Sequence, residues 1–160
     1  MIYLLVPSRQ TQPQTDINRI RRDHAEEEAL TGMVHGMDAS APEERIARAA
    51  DKHPSCTGYE FRRVYNRPQR NMPGAIELDF LFHIGIPHPV QVDEEYFHSG
   101  AVARAADRQR DRILYENFLR YKGSRLISRV RADFLETQEQ ADNVFEQIVA
   151  GRIFSIDDVA

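Results

Sequence analysis

The sequence of 160 residues has one cysteine, Cys56, and no tryptophan. A lone thiol excludes an intramolecular disulfide and any zinc site built from several cysteines, and it fits a cytoplasmic or other reducing intracellular compartment. Long apolar runs are also missing. Met1 to Val6 is far too short to cross a bilayer and lacks the basic flank and extended apolar core of a signal peptide. Eight glycines and eight prolines are ordinary usage, and nothing repeats at a fixed period, so collagen-like, solenoid and low-complexity architectures fall away. What is present, 41% hydrophobic and 29% charged residues, suits one globular domain.

A net charge of −4 argues against nucleic-acid binding by bulk charge. The average conceals a division along the chain. Arg104 to Arg131 holds nine Arg or Lys against three acids, a local excess of about +6, whereas Ala132 to Ala160 has seven acids against Arg152 alone.

Periodicity and end signals divide the chain into elements. Met1 to Val6 reads as a short strand and Asp16 to Leu30 as a helix with a thin apolar stripe, broken by Gly32 and Gly36. Met1 to Met37 is therefore expected to be an arm that meets a partner or a second copy, with the folded domain over residues 38–160. Ser40 and Glu43 have the spacing of a capping box, and a helix to about Lys52 follows. Strands are expected at Tyr59 to Tyr65, Ala75 to His83 and Val90 to Phe97, with Pro87 and Pro89 bracketing a turn between the last two. In the middle strand Ile76, Leu78, Phe80 and Phe82 point one way and Glu77, Asp79, Leu81 and His83 the other. A helix from Val102 to Tyr121, turning Ala106, Ile113, Leu114 and Phe118 inward, stops at Gly123. A strand at Leu126 to Val130 and a helix opened by Thr137 and Gln140 complete the order. The expected class is α/β, a mixed sheet flanked by helices.

Glu77 and Asp79 on one strand, and Gln91 and Asp93 on the next, place oxygens on adjacent strands. Convergent oxygens suit a hard divalent cation such as Mg²⁺, although alternation alone favours the solvated face of an edge hairpin. His83 and His88 with His98 match no closed zinc spacing.

The ordered series Glu77-Leu78-Asp79-Phe80, Pro89-Val90-Gln91-Val92-Asp93 leading to Tyr96-Phe97-His98, Asp107-x-x-Arg110-Asp111, and Gly123-x-Arg125-Leu126-Ile127-x-Arg129-Val130 resembles the PD-(D/E)xK nuclease superfamily. Within it the likeness is nearest to small endonucleases of the very-short-patch-repair type, over roughly Ser40 to Gly151. The resemblance implies a restriction-endonuclease-like core with an N-terminal extension and Mg²⁺- or Mn²⁺-dependent hydrolysis of DNA. Asp79, Gln91 and Asp93 would be the metal and catalytic residues, with His98 orienting water or moving a proton. Asp107 and Arg110 would support the strands, and Glu43 and Glu44 would add an acidic wall unless Glu43 only caps its helix. Gln91 stands where the pattern expects Glu, Glu94 stands where a Gly is usual, and no Lys follows. Lys122, Arg125, Arg129 and Arg131, helped by Arg62, Arg63, Arg67 and Arg70, would contact phosphates. The alternative from another class is an inactive subunit of this fold in a larger, virus-like assembly.

Overall fold

The computed structural model describes residues 29–66, 74–94 and 100–155. A small hairpin, β1 (Met33–Val34) and β2 (Met37–Asp38), turns through His35 and Gly36, both at positive φ. Then come α1 (Ala41–Lys52), β3 (Gly58–Tyr65), β4 (Ile76–Ile84), β5 (Ile86–Asp93), α2 (Ala101–Leu114), β6 (Ser128–Arg131) and α3 (Gln138–Val149). The sheet order is β3-β4-β5-β6, antiparallel except for the parallel β5–β6 pair. From α1 onward this is the expected element order, and the class is mixed α/β. The expected strand over Met1 to Val6 and most of the helix over Asp16 to Leu30 lie outside the described residues.

Both capping boxes form: Glu43 N–H donates to Ser40 Oγ while Ser40 N–H donates to Glu43, and Thr137 and Gln140 do the same for α3. These reciprocal bonds satisfy amides that have no partner inside the helix. The helix α2 ends earlier than the spacing predicts. One π turn (Tyr115–Leu119) and one 3₁₀ turn (Arg120–Lys122) carry the chain on to Gly123, whose φ of 69° needs the left-handed conformation glycine tolerates. Ala106, expected to face inward, is exposed.

The sheet separates two cores. One joins Ile46 of α1 with Phe80 and Phe82 of β4, Val90 and Val92 of β5, and Phe145 and Ile148 of α3. Val34 of the hairpin is buried in it, so the proposed boundary after Met37 cuts through an element that contributes to the core. The other joins Tyr65, Ile76, Leu78 and Leu81 with Leu114 at the end of α2 and Leu119 at the end of the π turn. Strict alternation would place Leu78 with Phe80 and opposite Leu81. Instead the ribbon changes face between Leu78 and Phe80. Across from this point Arg62 has φ 56°, and it interrupts the ladder between Phe61↔Phe80 and Arg63↔Leu78. One left-handed residue in an edge strand swings the pleat of both strands, as bulges do.

The β4–β5 turn also departs from expectation. Its centre is Gly85, at φ 73°, between the pair Ile84 and Ile86, and Pro87 and Pro89 lie inside β5. They are tolerated because β6 joins β5 only from Val90 onward; ahead of it Arg125 N–H donates to Pro87 O at 3.0 Å, so on this edge the proline serves as an acceptor and its missing N–H breaks no ladder.

Candidate functional site

The face change occurs at Asp79, where β4 and β5 part. Their backbone ladder runs from Ile84↔Ile86 to Phe80↔Val90. Beyond it, side chains take over. Asp79 N–H donates to Gln91 Oε1 at 3.0 Å, Val92 N–H donates to Asp79 Oδ2 at 2.8 Å, and Gln91 Nε2 donates to Glu77 O at 2.9 Å. Both ends of the Gln91 amide thus join β5 to β4, and Gln91 is buried. A glutamate has no donor for the Glu77 carbonyl, which gives a structural reason for an amide at this position.

Asp79 sits in a setting that opposes its charge. Its carboxyl is pushed up to about 7, mainly by burial, with the Glu43 and Glu77 carboxylates adding to the shift; the Val92 amide and Arg129 pull the other way. Glu43 reaches this point from the first turn of α1, where it also accepts from Ser40 N–H at 2.9 Å. Glu43 therefore caps α1 and also opposes the charge of Asp79. Glu44 does something different. It is buried and accepts from Thr31 N–H, Gly32 N–H and the Thr31 hydroxyl, which ties the segment ahead of β1 to α1.

Asp93 is buried at the end of β5, in register with Arg131 of β6, and Gln91 is in register with Arg129. Arg129 is the cationic centre of this side. Its Nε and Nη2 meet both oxygens of Asp111 at 2.8 and 2.9 Å, and its Nη1 lies 3.9 Å from Asp107. Burial works against its charge, but Asp111, Asp107 and Asp93 together keep its pKa above the usual arginine value. The support expected from Asp107 and Arg110 is divided differently. Arg110 pairs with Asp107 on its own helix at 3.3 Å, and Asp111 is the residue that locks α2 to β6.

The expected phosphate contacts separate into two kinds. Lys122 and Arg125 are exposed, with Lys122 5.7 Å over the Tyr65 ring and the Arg125 guanidinium against Gly151. Arg129 and Arg131 are turned inward into ion pairs, Arg131 with both oxygens of Asp133 at 3.0 and 2.7 Å. Among the helpers, Arg62 lies 3.7 Å from Glu77 and Arg63 pairs with Glu60 at 2.6 Å. His98, Tyr96, Phe97, Arg67 and Arg70 lie outside the described residues. His88, near the β4–β5 turn, is buried with Nδ1 2.9 Å from Ile86 O, and burial lowers its pKa, so it stays neutral.

Among the described residues no group of three His, Cys, Asp or Glu side chains is close enough to hold a metal ion. No described helix is long and apolar enough to cross a membrane. No family model, curated protein or solved structure matches this chain.

Proposed function

We propose that the chain is a metal-dependent endonuclease of the PD-(D/E)xK type, hydrolysing DNA phosphodiester bonds at the fork between β4 and β5. The observation that supports the reading is Asp79 itself: a mostly buried carboxyl, raised to about 7, with Glu43 and Glu77 close enough to oppose its ionisation. Acids crowded in this way favour a divalent cation, which offsets their repulsion. Mg²⁺ or Mn²⁺ would be held by Asp79 with one further carboxylate, Glu43 or Asp93, and with water completing its shell, because no three of the described acids stand close enough to share one ion. When bound, such an ion lowers the pKa of a coordinated water and offsets charge on the phosphate. The chain's own residues do the rest. Gln91 fixes the backbone of Asp79, the Val92 amide orients one oxygen of its carboxylate, and the pinned Arg129 supplies a fixed positive charge nearby.

One observation favours a second reading, a non-catalytic subunit of a larger assembly. The Gln91 amide, expected as a ligand, is engaged at both ends within the sheet.

The two readings separate in a Mg²⁺ and Mn²⁺ titration that records both cleavage of single-stranded, duplex and branched DNA and thermal melting. The nuclease reading expects cleavage and a metal-induced rise in melting temperature by the wild type. Asp79→Asn then loses both while remaining folded, since an amide still accepts from Val92 N–H. Gln91→Glu keeps the acceptor for Asp79 N–H but sets a carboxylate against the Glu77 carbonyl, so it loses about 1–3 kcal/mol of stability while binding metal more tightly. A wild type with neither cleavage nor a metal-induced shift leaves the subunit reading standing.

A further inference from the structure

On the α2 side of the sheet, beyond the Arg129–Asp111 pair, lies a groove of about 510 Å³. Its two walls differ in chemistry. One carries Arg108 and Arg112, four residues apart on the same face of α2, and Arg120 from the turn that follows. The other carries Leu126, Ile127 and Ile153. Leu126 and Ile153 are 57% and 37% exposed, so two of the large apolar side chains left open to solvent lie along this cleft. Tyr115, half-buried, presents an aromatic ring at the groove.

An occupant must therefore be anionic along one side and flat or apolar along the other. An added β-strand is disfavoured because the outer edge of β6 is already taken: Arg129 N–H donates to Phe154 O and Phe154 N–H to Ser128 Oγ, both at 3.0 Å. A strand of nucleic acid has the required chemistry, with phosphates on one side and π faces on the other. Residues four apart on a helix are separated by about 6 Å along its axis, a stride comparable to that of successive phosphates on an extended strand. The volume falls within the roughly 300–1,000 Å³ typical of ligand sites. Glu116 is the acid that opposes this field, since Asp111 is committed to Arg129.

We infer that the groove binds an unpaired stretch of nucleic acid, with phosphates against Arg112 and Arg120 and a base against Tyr115 and Leu126. This deepens the nuclease reading and rests on it only for the role of the bound strand, because the groove shares Arg129 with the acidic fork. Binding itself requires no metal.

The test is fluorescence anisotropy of a 5′-labelled eight-nucleotide oligothymidylate with the full chain in EDTA. The wild type should bind it, and an unlabelled duplex of the same length should compete at least tenfold more weakly. Arg112→Glu with Arg120→Glu should weaken binding at least tenfold, and Leu126→Asp should weaken it several-fold. Lys52→Glu, a charge reversal on α1, should leave it unchanged, and Glu116→Gln should strengthen it. Circular dichroism melts confirm that each variant is folded. The inference is overturned by no binding in the wild type, by equal loss with Lys52→Glu, by preference for the duplex, or by an acidic peptide of eight glutamates competing as well as the oligonucleotide. Binding that persists when no metal supports cleavage removes the nuclease reading and leaves the groove, whereas duplex cleavage without oligonucleotide binding removes the groove alone.

Discussion

Asp79 concentrates the opposing demands placed on this fold. Its side chain is useful to the sheet as an acceptor for Val92 N–H, yet burial and the nearby Glu43 and Glu77 hold its carboxyl up to about 7. The folded chain therefore retains a proton that the unfolded chain releases at its ordinary value of 3.8. The sign follows from linkage: a raised acid contributes its full share of stability below the ordinary value, and that share is lost as pH rises toward about 7. Urea unfolding of the wild type and of Asp79→Asn, taken from pH 4.5 to pH 8, should diverge with rising pH, the variant becoming more stable by on the order of 2–4 kcal/mol at the alkaline end. Curves that stay parallel across this range would mean that Asp79 ionises freely. Mg²⁺ added at pH 8 should narrow the gap by stabilising the wild type, because a cation offsets the repulsion that the pH rise creates.

At the scale of elements, the clearest sequence signals were local ones. Ser40 with Glu43 and Thr137 with Gln140 marked two helix starts because a capping box is contained within four residues. Ala141, Val144, Phe145 and Ile148, at helical spacing over two turns, form the buried face of α3. The change of face in β4 could not be read there. Ile76 to Phe80 alternates, Phe80-Leu81-Phe82 is apolar on both faces, and the left-handed Arg62 stands opposite the shift on the neighbouring strand, at a position where sequence shows only an arginine. Pro87 and Pro89 signalled a turn for a sound local reason, and only the late entry of β6 explains how a strand accommodates them. The pairing of Asp79 with Gln91 was legible as adjacency on two strands, but the use of the amide as a bridge was not, because it depends on the strands parting after Phe80. Asp111 shows how one residue can join elements far apart in sequence. Its two-pronged contact with Arg129 links α2 to β6 with both side chains largely buried, at 16% and 14% exposure. Breaking one side of such a pair leaves a charge without its partner. Asp111→Asn should reduce stability by about 2–3 kcal/mol, and the double change with Arg129→Gln should recover part of that loss. Additive losses in the double-mutant cycle would show that the two side chains act independently.

At the scale of the whole molecule, charge is distributed so that net sign and local field oppose each other. The chain carries −4, and the basic excess of Arg104 to Arg131 is partly consumed internally, with Arg129 given to Asp111, Arg131 to Asp133 and Arg110 to Asp107. Of the nine basic residues in that run, Arg108, Arg112 and Arg120 line one groove. Counterion release turns this into a number. Two phosphate contacts to a single strand, at Arg112 and Arg120, correspond to a slope of log K against log salt of about −1.4, from roughly −0.7 per contact. Full engagement of the basic run would give a slope near −6 by the same relation. Anisotropy titrations of the oligothymidylate between low and physiological salt should give the shallow slope, and Arg112→Glu with Arg120→Glu should bring it close to zero. A steep slope that survives those reversals would place the contact surface on Lys122 and Arg125 instead, outside the groove, since the inward ion pairs of Arg129 and Arg131 leave those two as exposed cations of the run's C-terminal half.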